Sequence, residues 1–195
     1  MCLNKKQFIK IFLILFFMIL IGWSLKKNHN FKNIFYIHKS APEPTYITTH
    51  LQMLIYSQNG DLSNKINANQ AKYYSHNKII CFIQPIVKTY DEKNNPSWRI
   101  RADQAQLTHD KILYLYGNIL IKSLSHNTQI KKIHMNNAKI NLITQDIISE
   151  DHIILYGHTF HATSMKLHGN LRKKTIELTD QVKSFYNTDN QKLYD

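Results

Sequence analysis

"IRADQAQLTHDKILYLYG", Ile100 to Gly117, decides how the rest of the chain is read. Just upstream, Trp98 starts an alternation in which Trp98, Ile100 and Ala102 face one way and Arg99, Arg101 and Asp103 the other. A period of two is what a strand with one buried face requires. Thr108-His109-Asp110 is a polar turn, and an apolar run follows it. In that run Leu113, Leu115, Ile119 and Ile121 share one face, and Ile112, Tyr114, Tyr116 and Leu120 the other, so both faces need cover.

Working outward, the same phrase recurs on either side. "INANQAKYYSHNKIICF" (Ile66–Phe82) and "MNNAKINLITQDIISEDHIILYG" (Met135–Gly157) also run from an alanine-bearing strand through a polar turn into an apolar strand. Ala71, Ala105 and Ala138 repeat at about 33 residues, a spacing that points to supersecondary units sharing one core. Each phrase then reads as one hairpin layer. Leu-Tyr-Gly closes two of them, and Gly117 and Gly157 mark a bend or a close backbone approach.

Further strands show in "THLQMLIY", where Leu51, Met53 and Ile55 alternate with His50, Gln52 and Leu54, and in "MKLHGNL". Turn signals at Asn59-Gly60, Asn94-Asn95-Pro96, Asn136-Asn137 and Thr144-Gln145-Asp146 separate the runs. With short spacings and no long helical pattern, the expectation is an antiparallel all-β domain. "KTIELTDQVKSFY" reads as its terminal edge strand, alternating around Ile176 and Leu178, with backbone groups open to strand addition.

The N-terminus differs. Lys5, Lys6 and Lys10 precede an unbroken apolar run from Ile11 to Trp23, and Lys26-Lys27 follow. Counted from Phe8 to Leu25 the run nears the length that crosses a bilayer. A cleaved signal peptide is the competing reading, through Gly22-Trp23-Ser24; the length of the run and the bulky Trp23 and Leu25 favour an uncleaved anchor. Pro42 and Pro44 then hold the chain extended at the entry to the strand-rich domain.

Net charge is +12, which suits an anionic partner or reflects a composition rich in Lys and Asn. The charges form no long run, so both readings stay open. Cys2 and Cys81 lie on opposite sides of the apolar run and imply no disulfide framework. No GxSxG, HExxH, P-loop or GxGxxG occurs. Glu150-Asp151 are adjacent, hence on opposite faces of a strand. His158 and His161, three apart, are poor metal co-ligands there. No basic stripe with interleaved aromatics marks nucleic-acid binding. No catalytic residue, metal or cofactor is expected, and no nucleic-acid partner.

Glu43-Pro44-Thr45-Tyr46, "QPIVKTYDEKNNPSWRIRADQAQLTHDKILYLYGNILI", "NAKINLITQDIISEDHIILYG" and "MKLHGNLRKKTIEL" closely resemble the lipopolysaccharide export system family LptC, from about Pro44 to Asn187. The resemblance implies a single-pass inner-membrane protein with its main domain in the periplasm. It implies a cytoplasmic tail (1–7), a transmembrane helix (8–25), a periplasmic linker (26–43), a twisted open β-jellyroll (44–187) and a flexible tail (188–195). It further implies a non-enzymatic role, taking lipopolysaccharide from an inner-membrane ABC transporter in an apolar trough and passing it to LptA. Leu51, which shares its face with Met53 and Ile55, and Phe82, where Pro85 limits further pairing, match the family's lipid-facing positions. Gly157 matches a family glycine near the junction with partner proteins. Ile176 and Tyr186 match positions at the LptA-facing end.

Two other classes are weighed against this one. A membrane-anchored β-sandwich enzyme on envelope glycans needs convergent carboxylates and a charged cleft. A purely structural envelope scaffold needs a filled core. A conduit needs an apolar trough.

Overall fold

A computed structural model describes residues 43–125 and 128–186. The expected tail, membrane helix and most of the linker, like the tail beyond 187, lie outside the described residues. The chain divides between Pro42 and Glu43, and every described residue belongs to the second unit.

That unit is all strand, and every pairing in it is antiparallel. In chain order the strands are β1 (Tyr46–Tyr56), β2 (Leu62–Tyr74), β3 (Ile79–Ile83), β4 (Ile86–Tyr90), β5 (Pro96–Arg101), β6 (Gln104–Leu107) and β7 (Ile112–Ser123). They continue with β8 (Ile130–Asn141), β9 (Asp146–Ser149), β10 (Ile153–Gly157), β11 (Phe160–Ser164), β12 (Lys166–Asn170), β13 (Thr175–Thr179) and β14 (Lys183–Tyr186).

Four strands, β1, β2, β7 and β8, run 11 to 13 residues. Three of them change partners part-way. β2 pairs β4 through Asn64–Asn67 and β3 through Gln70–Tyr74. β7 pairs β6 through Leu113–Tyr116 and β5 through Leu120–Ser123. β8 pairs β10 near Ile130–His134 and β9 near Lys139-Ile140. The long strands are therefore shared by two leaves. Leaf A runs β1-β2-β3-β6-β7-β8-β9-β12-β13; leaf B runs β1-β2-β4-β5-β7-β8-β10-β11-β14. Left-handed backbone marks the crossings: His50 (φ 55) in β1, Gly117 (φ 72) and Asn118 (φ 45) in β7, and Gln84 (φ 50) between β3 and β4. The inner sides of both leaves contribute to one hydrophobic core. Their far ends are tied together by Trp98 Nε1, which donates to the Leu171 carbonyl at 2.8 Å, and Asn64 Nδ2, which donates to that of Leu142 at 2.7 Å.

The alanine repeat now has a physical cause. In leaf A the hairpins β2–β3, β6–β7 and β8–β9 lie side by side. Their registers align Ala71 with Phe82, Phe82 with Ala105, Ala105 with Leu115, and Leu115 with Ala138. All five are at most 3% exposed. Small alternates with large along the row, so Phe82 and Leu115 spread over their alanine neighbours at native packing density. Leaf B uses a different filling: Ile66, Val87, Ile100, Ile121, Ile133 and Leu155 form one register row, mostly β-branched.

Three expectations need correction. Asn136-Asn137 is not a turn but lies inside β8, at its partner switch. There the Asn137 carbonyl accepts from Ser149 Oγ at 2.7 Å, and Asn137 Nδ2 donates to Asp151 at 2.9 Å, so both groups find side-chain partners where β8 leaves β10 for β9. "KTIELTDQVKSFY" is not one strand. Asp180 (φ 66) and Gln181 (φ 53) break it into β13 on leaf A and β14 on leaf B. The two Leu-Tyr-Gly phrases are not equivalent hairpin strands either. The first sits on leaf A in β7, whereas β10 crosses to leaf B and pairs β8.

Candidate functional site: the inner face and its two edges

The inner face is largely apolar from one edge of the sheet to the other, interrupted by buried Asn64, Thr89, Ser149 and Ser164, and its sealing varies. In the middle, Phe82, Leu115, Ile100 and Ile121 are at most 1% exposed. At the β1 edge, Leu51, Met53 and Ile55 are half-buried and pack against the core; at the far edge Phe160, Ile176 and Leu178 do the same. The cause is topological. A middle strand has neighbours on both sides, and among the described residues β1, β13 and β14 have one each.

Leu51 and Phe82 share this face, two strands apart, as the alternation requires. Leu51 sits opposite Ala68 just past the His50 bend, and Phe82 lies in the sealed row. Near the β1 edge, a cavity of about 340 Å³ opens between the leaf ends. Ile55 and Ile143 give it apolar surface, and Lys111 and Arg172 line it as well. An apolar chain with an anionic head suits this arrangement of charge and apolar wall.

At the far edge the structure brings two expected residues together through one that sequence reasoning missed. Gly157 ends β10 at a register shift, and a Cβ there would run into the Phe160 ring. Phe160 in turn faces Tyr186, with ring centroids 6.0 Å apart. Tyr186 is 71% exposed. Phe160 stands among polar neighbours in "GHTFHATS", so periodicity gave it no signal. Ile176 is on the other leaf. Its Cδ1 covers Gly169, where a Cβ would come within 2.6 Å of it. Ile176 and Tyr186 thus sit on the two separate strands of one broken edge.

The outer side of the partner switches is polar. A groove of about 740 Å³ runs there past Asn69, Gln84, Asp103, Asn118 and His134. Asn69 donates to Gln84, and Asn118 Nδ2 to Asp103 at 2.7 Å. His134 titrates below its ordinary value, first because burial disfavours its charged form and second because Lys132 is near.

Comparison with known proteins agrees with this geometry. The family model described as "Lipopolysaccharide-assembly, LptC-related" matches residues 11–187. The chain is 41% identical over 149 residues to the lipopolysaccharide export system protein LptC of Escherichia coli strain K12, covering 76% of this chain and 78% of that protein. It is 29% identical over 188 residues to that of Haemophilus influenzae, covering 88% of this chain and 90% of the relative. Among solved structures, LptH of Pseudomonas aeruginosa, the LptA homologous periplasmic component of a lipopolysaccharide transport device, superposes with a TM-score of 0.52 at 8% identity. The match covers 64% of this chain and 94% of that one, and it speaks for the fold alone. With a family model spanning most of its length and a relative at this identity, the chain belongs to the LptC family.

Proposed function

We propose that this chain is a non-enzymatic component of lipopolysaccharide transport from the inner to the outer membrane. The observation that carries the reading is the inner face: largely apolar, sealed in the middle and half-open at both edges. Acyl chains need such a surface, while sugars and phosphates need the solvent just outside it.

In this reading residues 8–25 anchor the chain in the inner membrane, residues 26–43 link, and a twisted open jellyroll over 44–187 stands in the periplasm. Residues 188–195 form the tail. Lipopolysaccharide arrives from the ABC transporter, meets Leu51 at the β1 edge, and reaches Phe82 when the row beside it opens. It leaves towards LptA across the edge that holds Ile176 and Tyr186, with Gly157 keeping Phe160 in place. Unpaired backbone on β1 at one end and on β13 and β14 at the other suits strand addition by neighbouring jellyrolls.

The sealed middle favours a second reading, a scaffold with a filled core. A photoreactive residue in place of Leu51 separates the two in the full chain. A lipopolysaccharide adduct that depends on ATP hydrolysis by the transporter supports the conduit. A folded, assembled protein that never gives the adduct leaves the scaffold.

A further inference from the structure

Five basic residues that are scattered in sequence meet on the outside of leaf B. Register by register, Lys65 lies opposite Lys88, Lys88 opposite Arg99, Arg99 opposite Lys122, and Lys122 opposite Lys132. The row crosses five adjacent strands, about 20 Å at the usual strand spacing. Lys65 and Lys88 are half-buried; Arg99, Lys122 and Lys132 are exposed. The residues of opposite parity on the same strands, Ile66, Val87, Ile100, Ile121 and Ile133, are core.

This is an expensive arrangement for folding alone. Like charges directly across a sheet destabilise it, and here four such pairs stand in sequence. No carboxylate relieves them: among the described residues the one ion pair joins Lys166 to Asp180, outside the row. The next outer row, Asn67, Ile86, Arg101, Leu120 and His134, adds a further cation and no acid. The outer face of leaf A offers a contrast. Its corresponding row reads Lys72, Cys81, Gln106, Tyr114, Lys139, Ile148, His168 and Glu177, with cations apart and an acid at the end.

The ends of the stripe are apolar or aromatic. Leu54, 41% exposed, pairs Lys65. At the other end Lys132 Nζ lies 4.4 Å from the Tyr156 ring centroid, Tyr156 pairs His161, and His161 stacks on the exposed Phe185 at 4.7 Å. None of the five cations lines a cavity described here. An extended row of cations without carboxylate partners, flanked by interfacial aromatics, matches a surface of phosphates better than one phosphate or an extended peptide.

We infer that the outer face of leaf B is a docking surface for an anionic phospholipid bilayer, held by Lys65, Lys88, Arg99, Lys122 and Lys132. The inference is independent of the transport reading, because it uses the face turned away from the apolar interior.

The test holds the full chain in phosphatidylcholine nanodiscs, so that its apolar N-terminus is already occupied. Vesicles of phosphatidylcholine, with or without phosphatidylglycerol, are then added and their capture is measured. A triple variant in the stripe (Lys88→Gln, Arg99→Gln, Lys122→Gln) is compared with one that removes the same charge elsewhere (Lys72→Gln, Lys139→Gln, Lys173→Gln). At about fivefold per cation, the stripe triple weakens phosphatidylglycerol-dependent capture roughly 100-fold. The control triple changes it by less than about threefold, because removed charges beyond a Debye length of the contact are screened. The stripe triple also unfolds at equal or higher urea than the parent, since repulsion has been relieved. Equal losses in both triples, or capture that ignores phosphatidylglycerol, overturn the inference. Displacement by inorganic phosphate at constant ionic strength would reassign the stripe to a discrete phosphate. Preferential binding of polyglutamate would reassign it to an acidic protein. Either result also overturns the bilayer surface.

Discussion

Leu51 and Phe82 look into the same interior from strands two apart, yet one is half-buried and the other 1% exposed. The difference is not one of hydrophobicity. It comes from the number of neighbours a strand has. Phe82 on β3 is flanked by β2 and β6 and sits between two alanines, whereas β1 pairs with β2 alone among the described residues. The same largely apolar face is thus a sealed core in its middle and a partly open surface at its edges.

The sharpest way to break this comparison is to truncate both residues. Phe82→Ala should cost about 3–5 kcal/mol of folding free energy, since it empties a sealed site. Leu51→Ala should cost about 1 kcal/mol, because much of its surface is already wet. Urea denaturation of both variants measures the gap, and equal costs would mean that the edge is as sealed as the middle. Next in size is a volume swap along the alanine row. Ala105→Leu should destabilise by about 1–3 kcal/mol through overpacking. Combined with Phe82→Ala the two losses should add to less than their sum, because the new leucine grows into the space of the lost ring. Strict additivity would show that the two positions do not share one packing site.

At the far edge Gly157→Arg should cost less stability than Phe82→Ala, about 1–2 kcal/mol, because Phe160 can swing outward. Its main effect should be the loss of the Phe160–Tyr186 contact, read by nuclear Overhauser effects, and of co-purification with partner proteins. A variant that keeps both would remove Gly157 from the edge's design. The smallest effect concerns pH. Hydrogen bonds from Thr144 first and Asn170 second hold Asp146 below the ordinary carboxylate range. A depressed acid adds stability above its unfolded value, about 3.9, and that part is lost as pH falls through the lower native value. Asp146→Asn should therefore be slightly less stable than the parent at neutral pH and no less stable in strong acid. Parallel acid titrations of the two proteins check this, and a gap that persists in strong acid would exclude the carboxylate as its cause.

Much of this architecture could be read from residue types. Leu51, Met53 and Ile55, and Trp98, Ile100 and Ala102, announced their faces through a period of two. Ala71, Ala105 and Ala138 announced the hairpins of leaf A. Gly117 was marked as a bend, but the other partner switches were illegible because the left-handed residues that make them are His50, Gln84, Asn118, Asp180 and Gln181 rather than glycines. Asn136-Asn137 has turn chemistry, but β8 runs on through it, with Asn137 paired to Tyr116 of β7 and its carbonyl taken by Ser149 Oγ. The cationic row escaped for another reason. Its members are spread from position 65 to position 132, and only the registers of five strands bring them into line. Phe160 escaped because an isolated aromatic carries no period.

The alternation of alanine with bulky residues also has a consequence for how such a protein changes length. In leaf A each repeat contributes one hairpin, and the large residues of the first two, Phe82 and Leu115, rest on alanines from their own repeat and the next. The unit is self-templating: a tandem duplication of about 33 residues presents the same small-then-large surface on both flanks. Such a duplication would widen leaf A by two strands, about 10 Å, and leave the chemistry of both edges untouched. The number of repeats is in that sense a ruler, set by gene duplication rather than by remodelling of the ends.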